Sequence, residues 1–285
     1  MMAKDTFLNR KQTLNCKGTL IDISKPSVMA ILNITPDSFY NKSRVNSVDD
    51  ALKKAERFIE AGAKFIDAGA YSSRPGAVDV SETEEIERLV PIVSAINKTF
   101  PEILISVDTF RARVAEAGIQ AGAHIVNDIA AGNLDGNMFE TVAKLQVPYI
   151  MMHMKGTPQN MQDNPSYENV TNEVFSYFSE KIKTLTNLGV KDIILDPGFG
   201  FAKSLDHNYE LLRHMQLLNF FELPLLVGFS RKSMITKALN VKTEDALNGT
   251  TILNTTALLK GANILRVHDV KEAVECVGLI GRIIG

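Results

Sequence analysis

The sequence contains no tryptophan, and only two of its 285 residues are cysteines. Cys16 and Cys276 are far apart and form no CxxC or Cys/His cluster, so we expect two reduced thiols rather than a zinc site or a disulfide framework. No apolar run reaches the roughly 20 residues of a membrane-spanning helix, and the opening residues, "MMAKDTFLNRKQ", lack the apolar stretch of a signal peptide. The sequence therefore predicts a cytoplasmic protein with no membrane partner.

An excess of charge of one sign is also missing. The formal net charge is −2, and the lysines and arginines are scattered along the chain, which argues against a nucleic-acid partner. Hydrophobic residues make up 45% of the sequence and charged residues 22%, the composition of an ordinary globular protein. Since the sequence shows no internal repeat, low-complexity tract or Ser/Pro-rich linker, we expect residues 1–285 to form a single domain.

What the sequence does contain is a series of eight short apolar runs, each followed by a turn and a helical pattern. They cover residues 28–35, 64–69, 103–109, 124–128, 148–153, 192–198, 225–230 and 264–269. Continuous apolar runs are typical of strands buried on both faces, and alternation with helices indicates parallel pairing. Eight such units predict an α/β fold, the (β/α)8 TIM barrel. The earlier segment "TLNCKGTLIDIS" predicts an N-terminal β-hairpin that covers the bottom of the barrel.

Two of the helical patterns carry readable start signals. Ser47 and Asp50 have the spacing of a capping box, with Gly62 as the stop, and Ser81 and Glu84 have the same spacing. We therefore expect one helix to begin just after Ser47 and another just after Ser81.

The apolar runs end on polar residues, which is where the functional argument begins. These residues are Asn33, Asp67, Asp108, Asn127, Asp128, His153, Asp196, Ser230 to Lys232, Arg266 and His268. Active sites of TIM barrels lie at the carboxyl ends of the strands. Any single acid here could simply cap the next helix, but so many polar groups at buried strand ends are expected to meet one another or a ligand.

The residue types suggest what that ligand is. Asp108, Asn127 and Asp196 supply hydrogen-bond acceptors, and Lys232 supplies a cation. A carboxylate accepts two parallel N–H bonds from an amidine-like edge, and a lysine complements a carbonyl oxygen. This set suits a 2-amino-4-oxo heterocycle such as guanine or a pterin. An aldolase that forms a Schiff base on Lys232 is an alternative.

A second group of polar residues suits an anion. Arg266 and His268 end the eighth strand, where barrels often bind phosphate. Asn33 ends the first strand, and a neutral oxygen ligand near a phosphate would suit Mg²⁺, which binds few protein groups. Two long irregular loops, "YSSRPGAVDV" and "MKGTPQNMQDNPS", are candidates for lids over the barrel mouth.

Taken together, the motifs resemble those of the dihydropteroate synthase family. The blocks "ILNITPDSF", "IDAGAYSSRPGA", "ISVDT", "IVNDIA", "MMHMKGTPQNMQ", "ILDPGFGFAK", "VGFSRKS" and "RVHDV" occur in the family's order, from about Leu14 to Val270. The resemblance implies a homodimeric TIM barrel that is a target of sulfonamides. It also implies an enzyme that condenses 6-hydroxymethyl-7,8-dihydropterin pyrophosphate with p-aminobenzoate, giving 7,8-dihydropteroate and pyrophosphate.

The family's residue roles transfer by motif match. The resemblance implies a pterin pocket of Asp108, Asn127, Met152, Asp196 and Lys232. It implies a pyrophosphate site of Asn33, Arg266 and His268, with Asn33 also a ligand of Mg²⁺. It implies a p-aminobenzoate region of Phe201, Lys203, Arg231 and Ser233, covered by loop residues Asp37, Phe39, Ser73, Arg74 and Pro75. The expected catalytic residues are Asp108, Asp196, Lys232, Arg266 and His268, acting in a dissociative, SN1-like substitution.

The chain departs from the usual family pattern in its loops. Tyr71 stands where Glu is usual, Ser73 where Thr is usual, and Ala202 where Gly is frequent. Two related functions remain open from the sequence. One is a pterin-dependent methyltransferase barrel, which would serve a corrinoid partner, and the other is a pterin-binding protein without turnover.

Overall fold

The computed structural model describes residues 11–34, 44–71, 80–161 and 165–284. Its first elements are the strands β1 (Thr13–Cys16) and β2 (Thr19–Asp22). They form an antiparallel hairpin in which Thr13 faces Asp22. The predicted N-terminal hairpin is confirmed.

Eight further strands form one parallel sheet. They are β3 (Ser27–Asn33), β4 (Phe65–Gly69), β5 (Leu104–Asp108), β6 (Ile125–Asp128), β7 (Tyr149–Met152), β8 (Ile193–Asp196), β9 (Leu226–Val227) and β10 (Ile264–Val267). The sheet order is β8-β7-β6-β5-β4-β3-β10-β9. Leu195 forms a parallel bridge with Leu225, and its N–H donates to the Pro224 carbonyl at 2.9 Å, which joins β8 to the start of β9. The predicted TIM barrel is therefore confirmed.

Helices follow every barrel strand and surround the sheet. They are α1 (Arg44–Glu60), α2 (Glu82–Thr99), α3 (Ala112–Gln120), α4 (Met138–Leu145), α5 (Val170–Asn187), α6 (Leu205–His214), α7 (Ser233–Leu239), α8 (Leu247–Leu259) and α9 (Val270–Ile284). Both α7 and α8 lie between β9 and β10. Within the described ranges, none of the helices has the length and apolar character needed to cross a membrane.

The two predicted helix starts have different outcomes. Ser81 precedes α2 and its side chain accepts the Glu84 N–H, so that prediction is confirmed. The start after Ser47 is wrong, because α1 begins at Arg44 and includes Ser47. The three preceding residues contain neither Gly nor Pro, so nothing in them stops the helix from extending upstream. The predicted end of this helix is confirmed, since α1 ends at Glu60 and Gly62 follows it with a φ of +95°.

The bottom of the barrel is closed by apolar side chains. Each strand contributes one residue, and Leu14, Cys16 and Ile23 of the hairpin segment pack onto this ring. The ring consists of Met29, Phe65, Leu104, Ile125, Ile150, Ile194, Leu226 and Ile264. Fully burying a large apolar side chain contributes about 1.5–3 kcal/mol. The hairpin therefore covers the barrel bottom, as predicted.

Two residues further along each strand, the inward side chains are mostly polar. Alternate residues of a strand point to the same face, so these positions form the next layer inside the barrel. They are Ile31, Asp67, Ser106, Asn127, Met152, Asp196, Gly228 and Arg266. This polar layer is the floor of the barrel mouth.

Candidate active site

A guanidinium at the centre of the barrel mouth is shared by two carboxylates. Arg266 of β10 donates from Nε to Asp67 Oδ2 at 2.6 Å and from Nη2 to Asp108 Oδ2 at 2.6 Å. Asp67 Oδ2 also accepts from Asn127 Nδ2 at 3.0 Å. Charge-assisted bonds of this length are among the strongest in proteins. They join the ends of four strands into one network.

Burial and charge act in opposite directions on the members of this network. Burial raises the pKa of the Asp108 carboxyl, while Arg266 lowers that pKa and Asp67 raises it further. Burial alone would lower the pKa of Arg266, but Asp67 and Asp108 outweigh it and raise that pKa above its usual range. Arg266 is therefore a permanent cation, whereas the Asp108 carboxyl keeps its proton to a higher pH than an exposed carboxyl does.

A second acid and a lysine lie on the other side of the mouth. Asp196 ends β8 and accepts the Gly198 N–H at 2.8 Å. Burial raises the pKa of Asp196, and Lys232 is the largest influence that lowers it. The Lys232 ammonium donates to the Phe199 carbonyl at 2.5 Å and lies 4.6 Å from the centre of the Phe201 ring. Burial lowers the pKa of Lys232 to about 8, with Asp196 opposing the shift.

The lysine reaches this position across a glycine. Gly200 has a φ of +81°, and a Cβ there would meet Lys232 Cδ at 2.9 Å. Real Cβ contacts are longer than this, so a side chain at position 200 would push the lysine away from the mouth. The second glycine of "DPGFGF" therefore gives the lysine room.

An apolar wall stands beside the polar groups. Met152 is buried and packs with Ile129, Met154, Met161 and Ala202. Phe201, Phe110 and Leu134 are partly buried against the same cluster. Such a wall suits the face of a flat ring, and methionine adapts well to an aromatic surface.

Lys203, expected in the p-aminobenzoate region, turns inward. Its ammonium contacts His153 Nδ1 at 3.0 Å, the Gly198 carbonyl at 3.0 Å and the Phe201 carbonyl at 3.1 Å. The residue is only 4% exposed, and burial lowers its pKa to about 7. Burial and Lys203 also keep His153 neutral by lowering its pKa. The ammonium therefore holds the loop that carries Phe201.

The loops after β9 and β10 are tied together. Arg231 donates from Nε and Nη2 to the two oxygens of Asp269, at 3.0 and 2.6 Å. Ser230 Oγ lies 3.0 Å from His268 Nδ1 and accepts the His268 N–H at 3.1 Å. Arg231 has a φ of +58°, a strained conformation for a residue with a side chain. These contacts fix His268 beside the Lys232 segment.

Comparisons with known proteins agree on the family. The family described as pterin binding enzyme matches residues 29–268. The dihydropteroate synthase of Escherichia coli K12 is 46% identical over 269 residues, which covers 94% of this chain and 95% of that protein. The chain belongs to the dihydropteroate synthase family of pterin-binding enzymes.

Solved structures of dihydropteroate synthases have the same fold. The Yersinia pestis dihydropteroate synthase with a sulfonamide drug superimposes with a TM-score of 0.89 at 44% identity, covering 95% of this chain and 98% of that one. The Xanthomonas albilineans dihydropteroate synthase with 4-aminobenzoic acid superimposes with a TM-score of 0.89 at 34% identity, covering 96% of this chain and 98% of that one.

The remaining predicted site residues are spread around the mouth. Asn33 ends β3 in register with Gly69, and a Cβ on Gly69 would meet Asp108 Cβ at 3.2 Å. Ser233 is exposed at the start of α7. The predicted loop residues Asp37, Phe39, Ser73, Arg74 and Pro75 lie outside the described residues.

Asp67 holds a central position in the network of the mouth, although the motifs of the family assign it no role. A signal was present, because Asp67 is two residues from Phe65 and so faces the barrel interior. An acid in an otherwise apolar strand of a TIM barrel needs a partner inside the barrel.

Tyr71, the departure from the family's usual Glu, makes several contacts. Its hydroxyl accepts a hydrogen bond from Gln159 Nε2 at 2.9 Å. Its ring meets Phe110 edge-on at 5.0 Å, and the Arg111 guanidinium lies 5.3 Å from its centre. Tyr71 thus connects the start of the loop after β4 with the loop after β7.

Proposed function

We propose that this chain catalyses the condensation of 6-hydroxymethyl-7,8-dihydropterin pyrophosphate with p-aminobenzoate, giving 7,8-dihydropteroate and pyrophosphate. The observation that carries this proposal is the cluster of Asp108, Asn127, Asp196 and Lys232 around one barrel mouth. The cluster occurs in a chain 46% identical to the dihydropteroate synthase of Escherichia coli K12.

The pterin would bind through its 2-amino-4-oxo edge. Asp196 and Asp108 would accept N–H groups of the ring, Asn127 would supply a further polar contact, and Lys232 would donate to the carbonyl oxygen. The Met152 wall would cover one face of the ring. The buried carboxylate of Asp196 and the partly buried one of Asp108 would also stabilise positive charge that builds on the pterin as the C–O bond breaks.

The pyrophosphate would lie toward Arg266, His268 and Asn33. Among the described residues, no hydrogen-bond partner occupies Arg266 Nη1, so this nitrogen can receive an anion. Within the same residues, no group of three His, Cys, Asp or Glu side chains could hold a metal. A lone Asn33 oxygen fits Mg²⁺ held mainly by phosphate oxygens and water. Bound there, Mg²⁺ would neutralise charge on the leaving group.

The p-aminobenzoate would occupy the side of the mouth near Phe201. The Phe201 ring lies next to the Lys232 ammonium and offers an apolar surface to the benzoate ring. Lys203 and Arg231 would order the loops on that side, and Ser233 would lie at its rim. Asp37, Phe39, Ser73, Arg74 and Pro75 would close over both substrates.

The substitution would be dissociative. An aryl amine is already neutral at pH 7, so the harder step is the loss of pyrophosphate. Pyrophosphate release from the pterin substrate alone, with enzyme and Mg²⁺, tests this order of events. Release before any amine is added is expected. A rate that is zero without amine and depends steeply on amine basicity would require an associative reaction instead.

The enzyme would act as a cytoplasmic homodimer. Exposed apolar side chains lie on the neighbouring helices α8 and α9, at Ile252, Leu259, Leu279 and Ile283. A second copy would cover this surface. Replacing Leu279 with Glu should then give a monomer in sedimentation analysis, and an unchanged dimer would place the interface elsewhere.

The two cysteines agree with a cytoplasmic location. Cys16 and Cys276 are both buried and form no disulfide, as a reducing compartment favours.

Product formation tests the proposed function. Purified protein with both substrates and Mg²⁺ should form dihydropteroate and pyrophosphate in equal amounts, and a sulfonamide should compete with p-aminobenzoate. Pterin binding without product would identify a non-catalytic pterin-binding protein. Methyl transfer dependent on a corrinoid protein would identify a methyltransferase instead.

A further inference from the structure

Two carboxylates share one edge of the Arg266 guanidinium. Nε and Nη2 lie on the same edge of the guanidinium, the edge that matches the two oxygens of a single carboxylate. Here Asp67 takes Nε at 2.6 Å and Asp108 takes Nη2 at 2.6 Å. The pairing is therefore a bridge between two acids and not a fork on one acid.

Asp67 has the capacity to take both donors. The residue is 0% exposed, and its Oδ1 atom has no hydrogen-bond partner among the described residues. Ser106, its register partner on β5, likewise has a buried hydroxyl without a partner within the described chain. A buried carboxylate oxygen without a donor is costly, and such an atom in a native site calls for an explanation.

Another arginine of the molecule pairs with a single carboxylate through both donors of this edge. Arg231 uses Nε and Nη2 together on the two oxygens of Asp269. The same fork on Asp67 would place Nε on Oδ2 and Nη2 on Oδ1. It would leave Asp108 without its guanidinium partner and ready to accept another donor.

We propose that Asp67 is a positioning residue that takes over the second donor of Arg266 when Asp108 turns to the N–H edge of the pterin. In the free site Arg266 bridges Asp67 and Asp108, and in the occupied site it forks onto Asp67 alone. The exchange keeps the partly buried cation paired throughout, so substrate binding does not leave Arg266 without a counter-ion. It also keeps Nη1 directed toward the anion. This inference rests on the proposed function, because it takes the pterin as the ligand of Asp108.

The substitution Asp67→Asn tests the exchange with little change of shape. Asn retains one oxygen, which can still accept from Arg266 Nε and Asn127, but it cannot accept a second donor at the Oδ1 position. Asp108 must then leave Arg266 without a replacement. We expect the affinity for 6-hydroxymethyl-7,8-dihydropterin, which lacks the pyrophosphate, to fall about tenfold or more in calorimetry. The KM for p-aminobenzoate should change less than about twofold.

Asp128→Asn is the matched control. Asp128 is an equally buried carboxylate on neighbouring β6, but it accepts from Tyr149, Ala130 and Gly132 and does not contact Arg266. Its pterin affinity should stay within about threefold of the wild type. Thermal unfolding of both variants shows how much each change affects the fold.

A second background separates positioning from stability. In Arg266→Lys, the side chain cannot form a fork, so adding Asp67→Asn should alter pterin affinity less than about twofold. The exchange is wrong if Asp67→Asn binds the pterin like the wild type, if it weakens only the pyrophosphate-bearing substrate, or if its effect is as large in the Arg266→Lys background. If the wild-type chain binds no pterin at all, the proposed function itself fails, and this inference fails with it.

Discussion

The two ends of the barrel use the same eight strands for different purposes. At the bottom, every strand contributes an apolar side chain, and the hairpin covers the ring they form. Two residues later along the strands, the inward positions hold Asp67, Asn127, Asp196 and Arg266. The bottom gains stability by excluding water, whereas the mouth keeps buried charges that a ligand can use. Stability should therefore respond mainly to substitutions at the bottom, and catalysis mainly to substitutions at the mouth.

The largest effect is expected when an Asp→Asn substitution is made at one end of β8 and compared with the same substitution, in a separate variant, at the other end. Asp196→Asn at the mouth should lower kcat/KM about 10³-fold, because one carboxylate that accepts pterin N–H groups is lost. Asp192→Asn is the control, since Asp192 precedes the same strand and pairs with Lys11 at 2.7 Å. Its activity should stay within about twofold of the wild type. Similar losses in both variants, measured by steady-state kinetics, would remove the distinction between the ends.

A cavity at the bottom should affect stability alone. Phe65 is fully buried in the apolar ring, so Phe65→Ala should lower the free energy of unfolding by about 3–5 kcal/mol. The folded fraction should turn over within about threefold of the wild-type rate. Urea denaturation measures the first quantity and kinetics below the transition the second. A large fall in turnover per folded molecule would show that the bottom also shapes the site.

The pH dependence should separate activity from stability at the mouth. Burial lowers the pKa of Lys232 to about 8, so kcat/KM for the pterin should fall above this pH as the ammonium is lost. The contribution of Lys232 to the free energy of unfolding should rise from about pH 8 to 10.5. In that window the lysine binds a proton in the unfolded chain but has lost it in the folded chain. Lys232→Arg should move the alkaline fall in activity to higher pH.

The acid side of the same profile depends on the two carboxylates. Burial raises the pKa values of Asp108 and Asp196, so activity should fall at a higher pH than ordinary carboxyls would give. A profile that is flat between pH 5 and 9, an interval of about two units on each side of neutrality, would contradict both assignments.

The smallest effect is expected from loosening one loop of the mouth. Lys203→Met removes the ammonium that holds the Gly198 and Phe201 carbonyls, so the KM for p-aminobenzoate should rise about tenfold. The pterin KM should change less than about threefold. Lys155→Met is the comparison, since Lys155 is more exposed and pairs with Glu173. Equal effects on both KM values would mean that the loop serves the whole site.

The fold could be predicted because its signals are local and repeated. All eight strands and the hairpin follow from short apolar runs and the turns between them. The ends of the strands were predicted less accurately. The strand expected over residues 225–230 covers only Leu226–Val227 in the structure. The following residues form a turn in which the Lys232 N–H donates to the Phe229 carbonyl. Tertiary hydrogen bonds of this kind leave no periodic pattern in the sequence.

The site was predictable in its residue types but not in its pairings. Asp108, Asp196, Lys232 and Arg266 were recognisable as polar strand ends. That Arg266 joins Asp67 to Asp108 depends on the pairing of the last barrel strand, β10, with the first, β3, which places β10 two strands from β4 and three from β5. The burial of Lys203 was equally hidden, because a lysine in a loop is normally exposed. Only the carbonyls that converge on it explain its position.

A crystal structure of the chain with 6-hydroxymethyl-7,8-dihydropterin would locate the pterin directly. We expect the ring N–H groups within about 3 Å of the Asp108 and Asp196 carboxylates, the carbonyl oxygen near Lys232, and Met152 against the ring face. A pterin bound away from these residues, or a mouth that binds none at saturating concentration, would mean that the polar end of the barrel is not built for this ligand.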